Sequence, residues 1–143
     1  VVKVPLDLEG GGRLTPRRLH EAIQQVNNED KRVVALYMPN PHNPLGHVRG
    51  EQETRDLAAV IAAHNHRYES DDRHTQNVLH GGIAGRISII DDMVYDGLEY
   101  GKNKAFSFAQ IEEIYGDTFV LFGLSKVGLP GLRAGAVLAD QKK

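Results

Sequence analysis

The sequence contains no cysteine among its 143 residues, which excludes disulfides, thiolate metal sites and a cysteine nucleophile. It also lacks an excess of charge of either sign, with 17 basic against 19 acidic residues and a formal net charge of -2. A nucleic-acid binder draws most of its affinity from neutralising phosphates and shows a basic stripe or surplus, so no nucleic-acid partner is expected. Long apolar runs are missing as well. No run approaches the roughly 20 residues of a spanning helix, and Val1-Val2-Lys3-Val4-Pro5 has neither the apolar core nor the cleavage site of a secretory leader. The expectation is a protein of the cytoplasm with no membrane partner. What is present, 41% hydrophobic and 25% charged residues, is the balance of a folded domain with one core.

Apolar periodicity places the elements. Residues 1–6 read as a short β-branched strand, and Gly10-Gly11-Gly12 as a turn with no phosphate-loop lysine behind it. Thr15-Pro16 is a helix start, a hydroxyl cap followed by proline at the first helical position, and Leu19, Ala22, Ile23 and Val26 then repeat at helical spacing. Residues 32–38 (RVVALYM) are too short for a helix and continuously apolar, which predicts a strand covered on both faces. Three prolines in residues 39–46 make the following loop rigid. Residues 51–64 predict a second helix, with Leu57, Val60, Ile61 and His64 on one face. Residues 65–86 are polar and histidine-rich and read as a loop or insertion. Residues 87–91 (ISIID) are a strand, and 107–115 a helix opened by a Ser-x-x-Gln capping box and closed by Gly116. Residues 118–122 and 133–138 are further strands around a glycine-rich loop. Strands alternating with helices predict an α/β domain, a three-layer α/β/α sandwich around a mostly parallel sheet.

Ligands in such sheets bind outside the carboxyl ends of the strands. Three ends would converge here, bringing Asn43, then Asp92 and Tyr95, then Ser125 and Lys126. Singly, each has a plain structural reading: Asn43 as a turn former beside Pro44, Asp92 as a turn or cap, Tyr95 as core filling, Lys126 as a solvated charge. Together they make an amide, a carboxylate, a phenol and an amine at one edge. Lys126 lies between an apolar strand and Gly128-Leu129-Pro130-Gly131-Leu132, a setting that predicts a partly desolvated, nucleophilic amine.

Asn43-Pro44-Leu45-Gly46 resembles the Asn-Pro-Thr-Gly loop of class I/II aminotransferases, the fold type I pyridoxal-phosphate enzymes. Asp92-Met93-Val94-Tyr95 is similar to that family's Asp-x-x-Tyr pair. Ser125-Lys126, followed by Gly128-Leu129-Pro130-Gly131-Leu132-Arg133-Ala134-Gly135, is similar to its lysine motif, and the three stand in family order. The resemblance implies that residues 1–143 form part of the family's large, cofactor-binding domain, without its N-terminal segment and C-terminal small domain, and that this piece alone turns over little.

It further implies pyridoxal 5′-phosphate as cofactor. Lys126 would form a Schiff base with it and move the substrate proton, while Asp92 would pair with the pyridine nitrogen. Tyr95 and Asn43 would bond the 3′ oxygen. Ser125 and Arg133 would bind the cofactor, Arg133 gripping the phosphate, and Gly128, Gly131 and Gly135 would allow close backbone approach. The implied reaction passes an amino group between an amino acid and a 2-oxo acid, in a homodimer. A C–S lyase, decarboxylase or oxidase would use the same lysine and aspartate, and a transcriptional regulator could carry the same domain as a sensor. Two positions depart from the family: Gly123 stands where a hydroxyl residue precedes the lysine, and Leu45 replaces threonine. His64, His66, His74 and His80, with Asp71 and Asp72, match no ligand template, so no metal is expected.

Overall fold

A computed structural model describes residues 1–28, 32–69 and 86–141. Helix α1 (Pro16–Asn28) begins where the threonine–proline pair placed it. The Thr15 hydroxyl accepts from the Arg18 N–H at 3.3 Å, and Leu19, Ile23 and Val26 turn inward. Strand β1 (Ala35–Pro39) leads through the proline loop into α2 (Glu51–Glu69), five residues longer than the periodicity indicated. Glu51 and Glu53 in its first turn and His66 and Arg67 in its last suit the helix dipole. Strand β2 (Ser88–Asp92), a short helix α3 (Glu112–Tyr115), β3 (Thr118–Gly123) and β4 (Gly135–Leu138) complete the order.

The strands form one sheet in the order β1-β2-β3-β4. The first two pairings are parallel, and β4 runs antiparallel to β3. This is the open, mostly parallel sheet with helices that the alternation implied. The core joins Leu19 and Ile23 of α1, Leu57, Ala58 and Ile61 of α2, and Phe108, Ile111 and Ile114 to Met38 and Ile89 of the sheet. These residues account for one sheet face. Because side chains alternate along a strand, Tyr37, Ile90, Phe119 and Leu121 fall on the other face, outside that core. The described residues therefore supply two of the three expected layers.

Four expectations need correction. Residues 1–6 form no strand: Val1 and Val2 are exposed, and pairing is limited to a single bridge between Asp7 and Arg13. Among the described residues no strand lies alongside them to pair with, and Pro5 has no N–H to offer. Among the described residues strand β1 is covered on one face only, with Ala35 and Tyr37 exposed, since the described helices that bury Met38 lie on the opposite side of it. On α2, Asn65 rather than His64 completes the buried stripe. Its amide donates to the Ile87 carbonyl at 3.1 Å and to Asp117 at 3.0 Å, and its oxygen accepts the Ile87 N–H at 2.8 Å. Residues 107–115 divide into a 3-10 turn (Phe108–Gln110) and α3. The capping box is formed as expected, with Ser107 bonded to Ala109 and Gln110 reaching back to the Ser107 N–H. The break at Ile111, whose backbone is extended, lets Phe108 enter the core. The insertion read at 65–86 is helical through Glu69; residues 70–85 lie outside the described residues.

One charged pair is buried in this framework. Arg49 Nη2 donates to Asp91 Oδ1 at 2.9 Å, with the two side chains 6% and 0% exposed. Asp91 Oδ2 accepts from the Ser107 hydroxyl at 2.6 Å and from the Phe108 N–H at 2.9 Å. Arg49 also donates to Thr54 Oγ1 at 3.2 Å, and its guanidinium stacks 4.4 Å from the centre of the Phe108 ring. Asn40 closes the loop, donating to the Arg49 carbonyl and accepting from the Arg49 N–H, both at 2.9 Å. Burial pulls the Arg49 pKa below its ordinary value, and the charge of Asp91 opposes that shift.

Truncating one member leaves the other charged and buried, so Asp91→Ala should lower stability by about 3–5 kcal/mol. Glu51→Ala, which breaks the exposed Arg55–Glu51 pair, should change it by no more than about 0.5 kcal/mol. Urea unfolding of the full-length variants measures both. Equal losses would show that the buried pair has no special role.

Candidate functional site

Period two decides which aspartate reaches the ligand edge. Asp91 points to the helix side and is consumed by the network just described. Asp92, the last residue of β2, points to the open face. Its Oδ2 accepts a hydrogen bond from the Tyr37 hydroxyl, and its Oδ1 accepts from the Val94 N–H at 3.2 Å. The phenol beside a carboxylate is hard to ionise: the hydrogen bond to Asp92, then burial, then the charges of Asp92 and Tyr95 push Tyr37 from 10.0 up to about 12.

Two more loops arrive at the same edge. Asn43 Nδ2 lies 3.4 Å from the Tyr95 hydroxyl, donating to it. Lys126 Nζ stands 5.5 Å from the centre of the Tyr95 ring, within range of a weak cation–π attraction. Residues from three separate segments, 43, 92–95 and 126, thus meet around one phenol. Beside them, Arg133 Nη1 donates to Ser125 Oγ at 3.5 Å. Arg133 has φ 49°, the one non-glycine residue with positive φ among the described residues, and it caps the 3-10 turn Pro130–Leu132. That conformation is disfavoured for a residue with a Cβ; here it returns the chain from the lysine loop into β4 with the guanidinium beside Ser125.

The structure departs from one expectation at this edge. Lys126 is exposed rather than partly desolvated. The leucines on either side of it, Leu124, Leu129 and Leu132, are themselves 38%, 49% and 62% exposed, so no apolar cover forms over the amine among the described residues. Gly131 has neither a positive φ nor a close neighbour. Gly128 has φ +96°, and a Cβ at Gly135 would lie 2.8 Å from the Phe122 carbonyl, so these two meet a real backbone requirement. Sequence reasoning missed Tyr37, Asn40 and Arg49. The signal for Tyr37 was available: counting alternate residues back from the strand end puts it on the face of Asp92. Nothing local marks Arg49. Among the described residues no group of three His, Asp or Glu side chains is placed to hold a metal; of the histidine-rich stretch, residues 71, 72, 74 and 80 lie outside them.

The family described as aminotransferase class I and II matches residues 1–142. The chain belongs to this family. The family's cofactor is pyridoxal 5′-phosphate. The chain is 27% identical over 143 residues to 1-aminocyclopropane-1-carboxylate synthase 9 of Arabidopsis thaliana, covering 99% of this chain and 28% of that protein. It is similar to the aromatic aminotransferase of Pyrococcus horikoshii, with TM-score 0.71 and 25% identity over 96% of this chain and 30% of that one. A PLP-bound structure from Clostridium difficile shares the fold, with TM-score 0.71 and 21% identity over 99% of this chain and 30% of that one. The chain thus spans less than a third of the length of these proteins.

The class I and II cofactor asks for a small set of partners, and the donor set at this edge fits them. An amine can reach an aldehyde, a carboxylate can hold a ring nitrogen's proton, an amide and a phenol can bond a ring oxygen, and a guanidinium with a hydroxyl can grip a phosphate.

The Tyr37–Asp92 bond is testable through pH. A pKa raised in the folded state gives stabilisation that is complete below the unfolded value and is lost as pH rises through the folded one. The difference in unfolding midpoint between the natural protein and Tyr37→Phe should therefore hold steady to about pH 10 and shrink toward pH 12. A difference that stays constant across that interval would contradict the bond.

Proposed function

We propose that the protein containing this chain is a pyridoxal-phosphate-dependent aminotransferase that moves an amino group between an amino acid and a 2-oxo acid, with Lys126 as the residue joined to the cofactor. The observation that carries this reading is the meeting of Asn43, Asp92, Tyr95 and Lys126 at one sheet edge in a member of that family. The bound cofactor supplies an electron sink for the charge that develops at the substrate Cα. Lys126 contributes a flexible primary amine, first to hold the cofactor covalently and then to take a proton from Cα and return it. Asp92 would keep the ring nitrogen protonated. Tyr95, already bonded to Asn43, would offer its hydroxyl to the ring oxygen, with Lys126 within cation–π range of its ring. Arg133 and Ser125 form the phosphate end. The reading includes a homodimer in the cytoplasm, with the chain as part of the large domain.

A second reading has specific support. The similarity to 1-aminocyclopropane-1-carboxylate synthase favours a reaction in which the amino acid keeps its nitrogen and closes a ring. Such a closure needs a leaving group at the substrate Cγ, and it would use the same lysine and aspartate.

Two measurements on the full-length protein decide these points. After addition of pyridoxal phosphate and reduction with borohydride, mass spectrometry should find the label on the peptide carrying Lys126; a label on another lysine removes it from the role. With nitrogen-labelled amino acids and a mixture of 2-oxo acids, the label should appear on the oxo acid's carbon skeleton. Release of 1-aminocyclopropane-1-carboxylate without nitrogen transfer would replace the first reading by the second.

A further inference from the structure

The open face of the sheet places an unassigned phenol against the carboxylate of the site. In the β1–β2 register Tyr37 lies opposite Ile90, and Pro39 opposite Asp92. Tyr37 and Asp92 are therefore diagonal neighbours on one face, a separation that a long aromatic side chain can span. The hydroxyl reaches Asp92 Oδ2, although the side chain as a whole is 61% exposed. An exposed tyrosine is free to swing into solvent, so this orientation is set by the bond and not by packing. Asp92 Oδ1 is held independently by the Val94 N–H, a local turn contact that the chain makes with itself.

We propose that Tyr37 is a positioning residue for Asp92: its hydroxyl and the Val94 N–H hold the two carboxylate oxygens in one plane, presented to the ring nitrogen of the cofactor. This deepens the function proposed above and rests on it. Two donors do not exhaust the carboxylate, which offers about four lone-pair positions, so a third donor from the cofactor can be accepted without displacing Tyr37. A carboxylate pinned at one oxygen rotates about its last side-chain bond. Pinned at both, it keeps its lone pair aimed at the ring, and the proton between ring and carboxylate stays where the chemistry needs it. Asp92 and Tyr95 are the ionisable groups acting on the Tyr37 phenol, and Lys126 faces Tyr95.

The test uses the full-length protein loaded with pyridoxal phosphate and reads the pH midpoint of the bound cofactor's visible absorbance. A proton on the ring nitrogen repels one on the nitrogen contributed by Lys126. Loosening Asp92 releases the ring proton, so Tyr37→Phe should move the midpoint to higher pH by about one unit and weaken cofactor binding by about tenfold. Tyr115→Phe, altering an exposed tyrosine on α3, should move neither. In an Asp92→Asn background, Tyr37→Phe should have no further effect on the midpoint, because the two act through one contact. A structural role alone would lower stability and leave the midpoint in place, and that result overturns the assignment, as do additive effects in the double variant. If the natural protein fails to bind the cofactor or to be labelled at Lys126, the proposed function itself falls, and the role of Tyr37 with it.

Discussion

The buried pair of Arg49 and Asp91 ties together four separate stretches of chain. Arg49 sits at the end of the proline loop, Asp91 within β2, Thr54 in the first turn of α2, and Ser107 and Phe108 at the turn that leads to α3. An ion pair removed from water costs desolvation on both sides, and the cost is offset only when every remaining lone pair and proton is satisfied. Asp91 has three donors, and the guanidinium has two acceptors and an aromatic face. The constraint is geometric as much as energetic. Asn43 lies on the loop that Arg49 and Asn40 anchor, and Asp92 adjoins Asp91, so the helix-side network sets the position of groups on the opposite side of the sheet.

The site inherits its character from the face on which it lies. Its polar groups are exposed or half-buried, and its contacts are few: Tyr37 to Asp92, Asn43 to Tyr95, Lys126 over the Tyr95 ring, Arg133 to Ser125. Each group offered toward a cofactor retains donor or acceptor capacity, which separates this edge from the saturated network around Asp91. Two adjacent aspartates of one strand thus have opposite fates. One is spent on holding the fold, and the other is held for chemistry.

Much of the architecture was legible because local periodicity and tertiary packing agree along α1, β2 and β3. Where they diverge, the cause is an interaction with a distant segment. The stripe on α2 shifts by one position because Asn65 finds Ile87 and Asp117. The helix expected over 107–115 breaks at Ile111, whose backbone is extended, while its start is held by Asp91 through Ser107 and the Phe108 N–H. Strand β1 looked doubly buried because a continuous apolar run carries no record of which neighbours are present. Lys126 looked desolvated because it sits between an apolar strand and Gly-Leu-Pro-Gly-Leu, and only the tertiary structure shows both it and those leucines exposed.

By itself the sequence determined the identity and order of the chemical groups: Asn43, then Asp92 and Tyr95, then Ser125 and Lys126, each just past an apolar strand, and Arg133 at the start of the last one. Strand periodicity and turn chemistry act over a few residues, and a linear string records them. Tertiary structure alone decided that Tyr37 joins Asp92, that Arg49 claims Asp91, and that the lysine stands over the Tyr95 ring. Those pairings span 31 to 55 residues in the chain and depend on strand register, which no local pattern encodes.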